Sequence, residues 1–100
     1  MKEIVVLAEA AKDIEAARDF YDAIASGIGE YCVDSLLADI ESLRLYSGIH
    51  RYSFGLHRML AKRFPFAIYY REANNQTEVL AILDLRRRPG WLRAELEKRP

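Results

Sequence analysis

Two long amphipathic stretches lie between short apolar runs along the chain. The run Ile4 to Leu7 is apolar, largely β-branched and without polar alternation, which predicts a first strand. From about Ala10 to Ala25, apolar residues recur every three or four positions and charged residues fill the opposite face, which predicts a helix. The glycines of Ser26 to Gly29 then turn the chain, and a second apolar stripe continues to near Leu45. The first half therefore predicts a strand followed by an αα-hairpin.

The second half of the chain carries the pattern of strands. After a glycine-containing loop, strands are predicted over about Leu56 to Ala61, Phe66 to Glu72 and Glu78 to Leu85. The last of them is apolar at five consecutive positions, which predicts a central place in the sheet. A short, fraying helix is predicted from Pro89 onward. The fold class is therefore α+β: an N-terminal strand, an αα-hairpin, a three-stranded antiparallel meander packed on the helices, and a short C-terminal helix.

Length and composition indicate one globular domain. The chain has 100 residues, of which 51% are hydrophobic and 30% charged, so residues 1–100 suffice for one modest core. No apolar run approaches the roughly 20 residues of a membrane helix, so a cytoplasmic protein without membrane contact is expected. The single cysteine, Cys32, has no internal disulfide partner and falls in a helical pattern. No metal and no cofactor are expected.

The net charge of zero hides an uneven distribution. Residues 1–48 carry four Lys and Arg against ten Asp and Glu, whereas residues 49–100 carry eleven against five. The halves therefore have charges of −6 and +6. Such a division indicates either a face that meets a polyanion or an acidic partner, or two halves that neutralise each other.

Four segments, written AAKDIEAARDFYDAI, GIGEYCVDSLLADIESL, HRMLAKRFPFAIYYR and VLAILDLRRRPGWL, carry a resemblance to a known group. On these segments and over nearly its whole length, the chain resembles the RelE/ParE superfamily of bacterial toxins. The most specific element is the basic strand with RFPFAIYYR, followed by an apolar strand that ends in an Arg pair before Pro and Trp. The resemblance implies the toxin of a type II toxin–antitoxin operon of the plasmid-stabilisation kind. An antitoxin whose C-terminal segment folds over the surface would hold it inactive.

The residues expected to bind the antitoxin or the target are Arg58, Lys62, Arg71, Arg86, Arg87 and Trp91. The resemblance implies the first four of them by their position in its motif. Arg58 and Lys62 match the basic first meander strand, and strand periodicity predicts that they share a face. Trp91 either anchors the terminal helix or lies in a partner interface, where Trp is over-represented.

The superfamily divides by target. RelE-like members cut messenger RNA in the ribosomal A site without a metal, whereas ParE-like members inhibit DNA gyrase. Metal-free RNA cleavage needs a general base, a general acid and cations around the phosphate. The candidate cations are Arg58, Lys62, Arg71 and Arg86.

The acid and base of a nuclease are harder to assign. Where many relatives carry a His at the end of the final strand, this chain has Asp84, which either pairs with Arg86 or lies clear of it. His50 falls in a loop, and His57 falls on the opposite strand face from Arg58. The sequence therefore favours a non-catalytic, ParE-like toxin that acts on DNA gyrase. The alternatives are a RelE-like endoribonuclease that acts on messenger RNA at the ribosome, and an inactive module that still binds an antitoxin.

Overall fold

A computed structural model describes residues 2–100 of the chain. The strands are β1 Glu3–Val6, β2 Tyr52–Ser53, β3 Leu56–Leu60, β4 Phe66–Ala73 and β5 Gln76–Asp84. The helices are α1 Ala8–Ile24, α2 Ile28–Glu41, α3 Leu43–Tyr46 and α4 Pro89–Glu97. None of these helices is long and apolar enough to cross a membrane.

The five strands form one sheet in the order β1-β5-β4-β3-β2. β1 is parallel to β5 and every other neighbouring pair is antiparallel. The predicted α+β class and the central place of β5 are confirmed. Two details differ from the prediction: the second helix breaks at Ser42, and the glycine-containing loop contributes the two-residue strand β2. β1 lies at an edge and is only half-buried.

The two faces of the sheet are covered by different helices. On one face, called the helix-hairpin face, Ile68, Tyr70 and Val79 pack against α1 and α2. On the other, called the α4 face, Tyr69 and Ala81 pack against α4. Successive residues of a strand point to opposite faces, so two adjacent tyrosines are buried in two separate cores. Packing was predicted for Tyr70 and is confirmed, and Tyr69 is equally buried.

The helix hairpin is tight because α2 begins against the side of α1. A methyl group at Gly29 would overlap the carbonyl oxygen of Arg18 and the side chain of Asp22. Asp22 Oδ1 accepts hydrogen bonds from the amides of Gly27 and Gly29, at 2.9 and 3.2 Å. It thereby satisfies donors that a helix N-terminus leaves unpaired. Cys32 is buried in the same helix, and burial raises the pKa of its thiol.

The C-terminal end of the chain is anchored at the outer edge of β5, beyond the end of β1. There Asp13 of α1 accepts a 2.9 Å hydrogen bond from the amide of Ile82. Arg99 donates to both carboxylate oxygens of Asp13, to Glu95 and to the carbonyl oxygen of Leu80. Its side chain is only 5% exposed. The predicted short terminal helix is confirmed, and this buried network ties the residues after it to α1 and β5.

Candidate functional site

The residues predicted for binding lie in three places. Arg86, Arg87 and Trp91 surround a groove between α1 and the start of α4. Arg58 and Arg71 lie on the α4 face of the sheet, and Lys62 lies beyond the end of β3, beside α2. The sequence prediction therefore brings together three of its six residues.

The groove has a volume of about 330 Å³ and a largely apolar floor. We call it the α1–α4 groove; its lining residues are Asp13, Ala16, Ala17, Phe20, Tyr21, Phe66, Ile82, Leu83, Asp84, Arg86, Arg87 and Trp91. Phe20 is 55% exposed and Trp91 is 37% exposed, so two large aromatic side chains face solvent at its rim. Exposed aromatic residues beside arginine are typical of binding hot spots.

Arg86 is paired within the chain. Its guanidinium donates two hydrogen bonds to Asp84, at 2.9 and 2.7 Å, and its backbone amide donates a third at 2.8 Å. These contacts lower the pKa of Asp84 and raise that of Arg86. Of the two arrangements left open by the sequence, the structure therefore has the ion pair. The carboxylate of Asp84 therefore largely neutralises the charge of Arg86 within the chain.

Arg87 differs from its neighbour in this respect. Its guanidinium carbon lies 4.3 Å from the centre of the Trp91 ring, in a cation–π contact. Within residues 2–100, no carboxylate forms a salt bridge with Arg87. The α1–α4 groove thus offers an incoming chain one free cation stacked on an aromatic ring.

Arg71 is tied into the fold. Its Nε donates to Glu78 at 2.8 Å on the neighbouring strand, and Nη1 donates to the carbonyl oxygen of Pro100 at 2.9 Å. The hydrogen bond from Arg71 is the main cause of the lowered pKa of Glu78. Arg71 therefore bridges β5 and the C-terminus rather than facing a ligand alone.

Arg58 and Lys62 do not share a face, contrary to the prediction. Arg58 lies opposite Tyr69 and so points to the α4 face. Strand β3 ends at Leu60, so the alternation of side chains does not extend to Lys62. The amide of Lys62 instead donates to Asp39 of α2 at 3.1 Å, on the helix-hairpin side.

Both histidines belong to a structural network around Tyr70. The Tyr70 hydroxyl accepts from the amide of Gly48 at 3.0 Å and lies 2.6 Å from His50 Nδ1. His57 Nδ1 donates to the His50 carbonyl oxygen at 2.6 Å, and its ring stacks between Tyr52 and Tyr70. Burial, and secondarily the charge of His57, lowers the pKa of His50.

The candidate cations therefore have no imidazole aligned with them as an acid or base. His57 lies on the helix-hairpin face, away from Arg58, as the strand pattern predicted. Residues 2–100 also contain no group of three or more His, Cys, Asp or Glu side chains arranged to bind a metal ion.

The sequence pattern gave no signal for several residues that shape this region. Asp13 and Arg99 are 86 positions apart and meet only because α4 returns to the edge of β5. The periodicity of α1 assigns Tyr21, and not Phe20, to the buried stripe. Phe20 lines the α1–α4 groove only because α1 packs beside Trp91.

The fold of the chain is similar to that of known proteins. No protein-family model and no curated protein sequence matches the chain. A search of solved structures matches a chain of the chromosomal ParDE TA system from P. aeruginosa. The TM-score is 0.77 and the sequence identity is 18%, and the match covers 85% of this chain and 97% of the other. The chain therefore has the α+β fold of that protein, which agrees with the fold expected from the resemblance.

Proposed function

We propose that the chain is the toxin of a type II toxin–antitoxin pair and that a cognate antitoxin neutralises it. The observation that carries the proposal is the fold shared, over 85% of the chain, with a protein from a ParDE system. The RelE/ParE-like segments of the sequence support the same assignment.

The α1–α4 groove is the proposed antitoxin site. Its exposed aromatic side chains, Phe20 and Trp91, suit the apolar residues of a segment that folds on contact. Arg87 is available to a carboxylate of that segment, whereas Arg86 already pairs with Asp84. The antitoxin therefore supplies at least one acidic residue flanked by large apolar residues.

The proposed action of the released toxin is ParE-like inhibition of DNA gyrase. Support comes from the dispersion of the candidate nuclease cations. Arg71 and Arg86 pair with internal carboxylates, and Arg58 and Lys62 lie on different sides of the sheet. Cleavage of messenger RNA on the ribosome needs these groups to converge on one phosphate together with an acid and a base.

A gyrase assay and a cleavage assay separate the two actions. The purified chain is expected to inhibit DNA supercoiling by gyrase, and primer extension on messages from induced cells is expected to show no codon-positioned cuts. Cuts that follow the reading frame, with supercoiling unaffected, would replace gyrase inhibition by RelE-like nuclease activity. An inactive module would bind its antitoxin and affect neither assay, an outcome that the internal pairing of Arg71 and Arg86 makes worth testing.

The antitoxin site is tested with the cognate antitoxin, which we expect to be a small acidic protein encoded directly beside this gene. Trp91→Ala and Phe20→Ala are each expected to weaken its binding about tenfold, as for interface aromatic residues of intermediate importance. Ile24→Ala is the matched control, because Ile24 is an exposed apolar residue of α1 outside the groove. Equal effects of all three substitutions in a calorimetric titration would remove the groove from the proposal.

A further inference from the structure

The opposite edge of the sheet carries a second surface, far from the α1–α4 groove in the strand order. Residues 45–62, called the β2 edge surface, contain no Asp or Glu and three Lys or Arg. Six large apolar side chains are exposed within it: Leu45, Tyr46, Ile49, Tyr52, Phe54 and Leu60. An apolar, cationic patch of this kind indicates an interaction site.

The backbone at this edge is open for pairing. β2 pairs only with β3, where the Arg58 amide donates to the Arg51 carbonyl oxygen at 2.9 Å. Hydrogen-bonded and non-hydrogen-bonded pairs alternate along an antiparallel ladder. The next pair, Tyr52 opposite His57, is therefore not hydrogen-bonded, and the amide and carbonyl of Tyr52 point away from β3. They face the side of the sheet where a further strand would lie.

Two contacts and a tight turn hold this edge in place without a partner. The ring of Tyr52 stacks on His57 at 4.1 Å, and His57 in turn holds the His50 carbonyl. Phe54 and Gly55 form the turn into β3 with φ of 56° and 80°, the left-handed conformation of a tight hairpin. A preordered edge loses less conformational entropy when a strand adds to it.

The two faces of the edge differ in chemistry. Tyr52 lies on the helix-hairpin face with His57, whereas Arg51 and Arg58, one residue out of phase, lie on the α4 face. Within residues 2–100 neither arginine forms a salt bridge. An added strand thus meets an aromatic ring on one face and two free guanidinium groups on the other.

We propose that the β2 edge surface binds an extended segment of another protein in which apolar and acidic residues alternate. The segment adds a sixth strand beside β2, its apolar residues contacting Tyr52 and its carboxylates meeting Arg51 and Arg58. A second copy of this chain fits less well, since residues 45–62 contain no Asp or Glu that could pair with Arg51 and Arg58 of the other copy. Single-stranded nucleic acid, which would stack on the exposed rings of Tyr46, Tyr52 and Phe54, fits less well because it leaves the outward amide and carbonyl of Tyr52 without a strand partner.

The test uses a labelled octapeptide of alternating valine and glutamate, followed by fluorescence anisotropy. The wild-type chain is expected to bind it saturably, and Arg51→Glu to weaken binding about tenfold while gaining affinity for a valine–lysine octapeptide. Arg88→Glu, at another exposed arginine outside this edge, is expected to change neither affinity. Tyr52→Pro removes the outward amide and is expected to abolish binding while circular dichroism confirms the fold.

Several results would overturn the proposal. They are the absence of saturable binding by the folded wild-type chain, equal binding of oligo-deoxythymidine, and self-association that competes with the peptide. Loss of peptide binding in Trp91→Ala, with none in Arg51→Glu, would place the peptide in the α1–α4 groove instead. The proposed antitoxin site is the α1–α4 groove. A negative result at the β2 edge surface therefore leaves the toxin–antitoxin proposal standing, and a negative result at the groove leaves the β2 edge proposal standing.

Discussion

Two stretches of strand without a neighbouring strand, one on β5 beyond the end of β1 and one on β2, use arginine in opposite ways. At the β5 edge, Arg99 is buried against Asp13 and Glu95, and it closes the part of the strand that β1 does not reach. At the β2 edge, Arg51 and Arg58 make no salt bridge within residues 2–100, and the backbone beyond them is unpaired. The comparison teaches that the positive charge of the second half has two roles. Part of it stabilises the fold, and part is left available to partners.

The largest expected loss of stability comes from removing Arg99 from the β5 edge. Arg99→Met leaves the carboxylate of Asp13 without its main partner in a mostly buried place, and is expected to lower the free energy of unfolding by about 3 kcal/mol. Urea denaturation measures the loss. Arg88→Met, at an exposed arginine, is the control and is expected to change it by less than about 0.5 kcal/mol. Equal, small changes in both variants would show that the β5 edge does not depend on the network.

A smaller loss of stability is expected when the hydrogen bonds of the Tyr70 hydroxyl, which help to order the β2 edge, are removed. Tyr70→Phe leaves the amide of Gly48 and His50 Nδ1 without a buried partner, and should cost about 2 kcal/mol. Tyr69→Phe is a matched control on the adjacent residue, because the buried Tyr69 hydroxyl has no hydrogen-bond partner within residues 2–100. It should be neutral or stabilising. Similar losses in the two variants would mean that ring packing, and not the hydroxyl network, dominates at Tyr70.

The hydrogen-bond network around Tyr70 also predicts that the stability of the fold depends on pH. Burial lowers the pKa of His50 in the folded state, so the unfolded chain binds a proton more readily. Stability is therefore complete above the unfolded pKa of about 6.5 and decreases as the pH falls toward the lower folded pKa. Chemical denaturation between pH 7.5 and pH 5.5 measures the slope, and His50→Gln should reduce it. An unchanged slope in that variant would assign the effect to another group.

The smallest effect on stability is expected at the groove and the strand surface. Arg86→Ala and Arg58→Ala should leave the urea midpoint nearly unchanged, because Arg86 is exposed, Arg58 is half-buried and neither belongs to a buried network. The double variant is expected to be less toxic to cells than the wild type. Toxicity equal to that of the wild type would remove both residues from the target-binding surface.

Local patterns predicted the elements of the fold, whereas the site depended on long-range packing. The αα-hairpin and three long strands follow from periodicities of 3.6 and 2 residues, which neighbouring positions set. β2 has two residues and therefore no detectable period. Ile24 and Leu37 fit the apolar stripes of their helices, yet they are 66% and 46% exposed, so periodicity alone does not predict which positions of a stripe are buried.

The sequence alone also did not predict which candidate arginines form ion pairs within the chain. Arg71 meets Glu78 only through the register of β4 and β5, and Arg99 meets Asp13 only through the return of α4. The pair of Arg86 with Asp84 is local, and it was one of two arrangements that the sequence allowed. Residue type indicated a binding surface, but tertiary contacts determine which charges remain free.

The most direct test of the toxin assignment is bacterial growth after induction of this chain alone and together with its cognate antitoxin. The proposal predicts that growth stops with the chain alone and resumes when the second protein is co-expressed. Normal growth with the chain alone, at levels where the folded protein is detected in the cells, would contradict it.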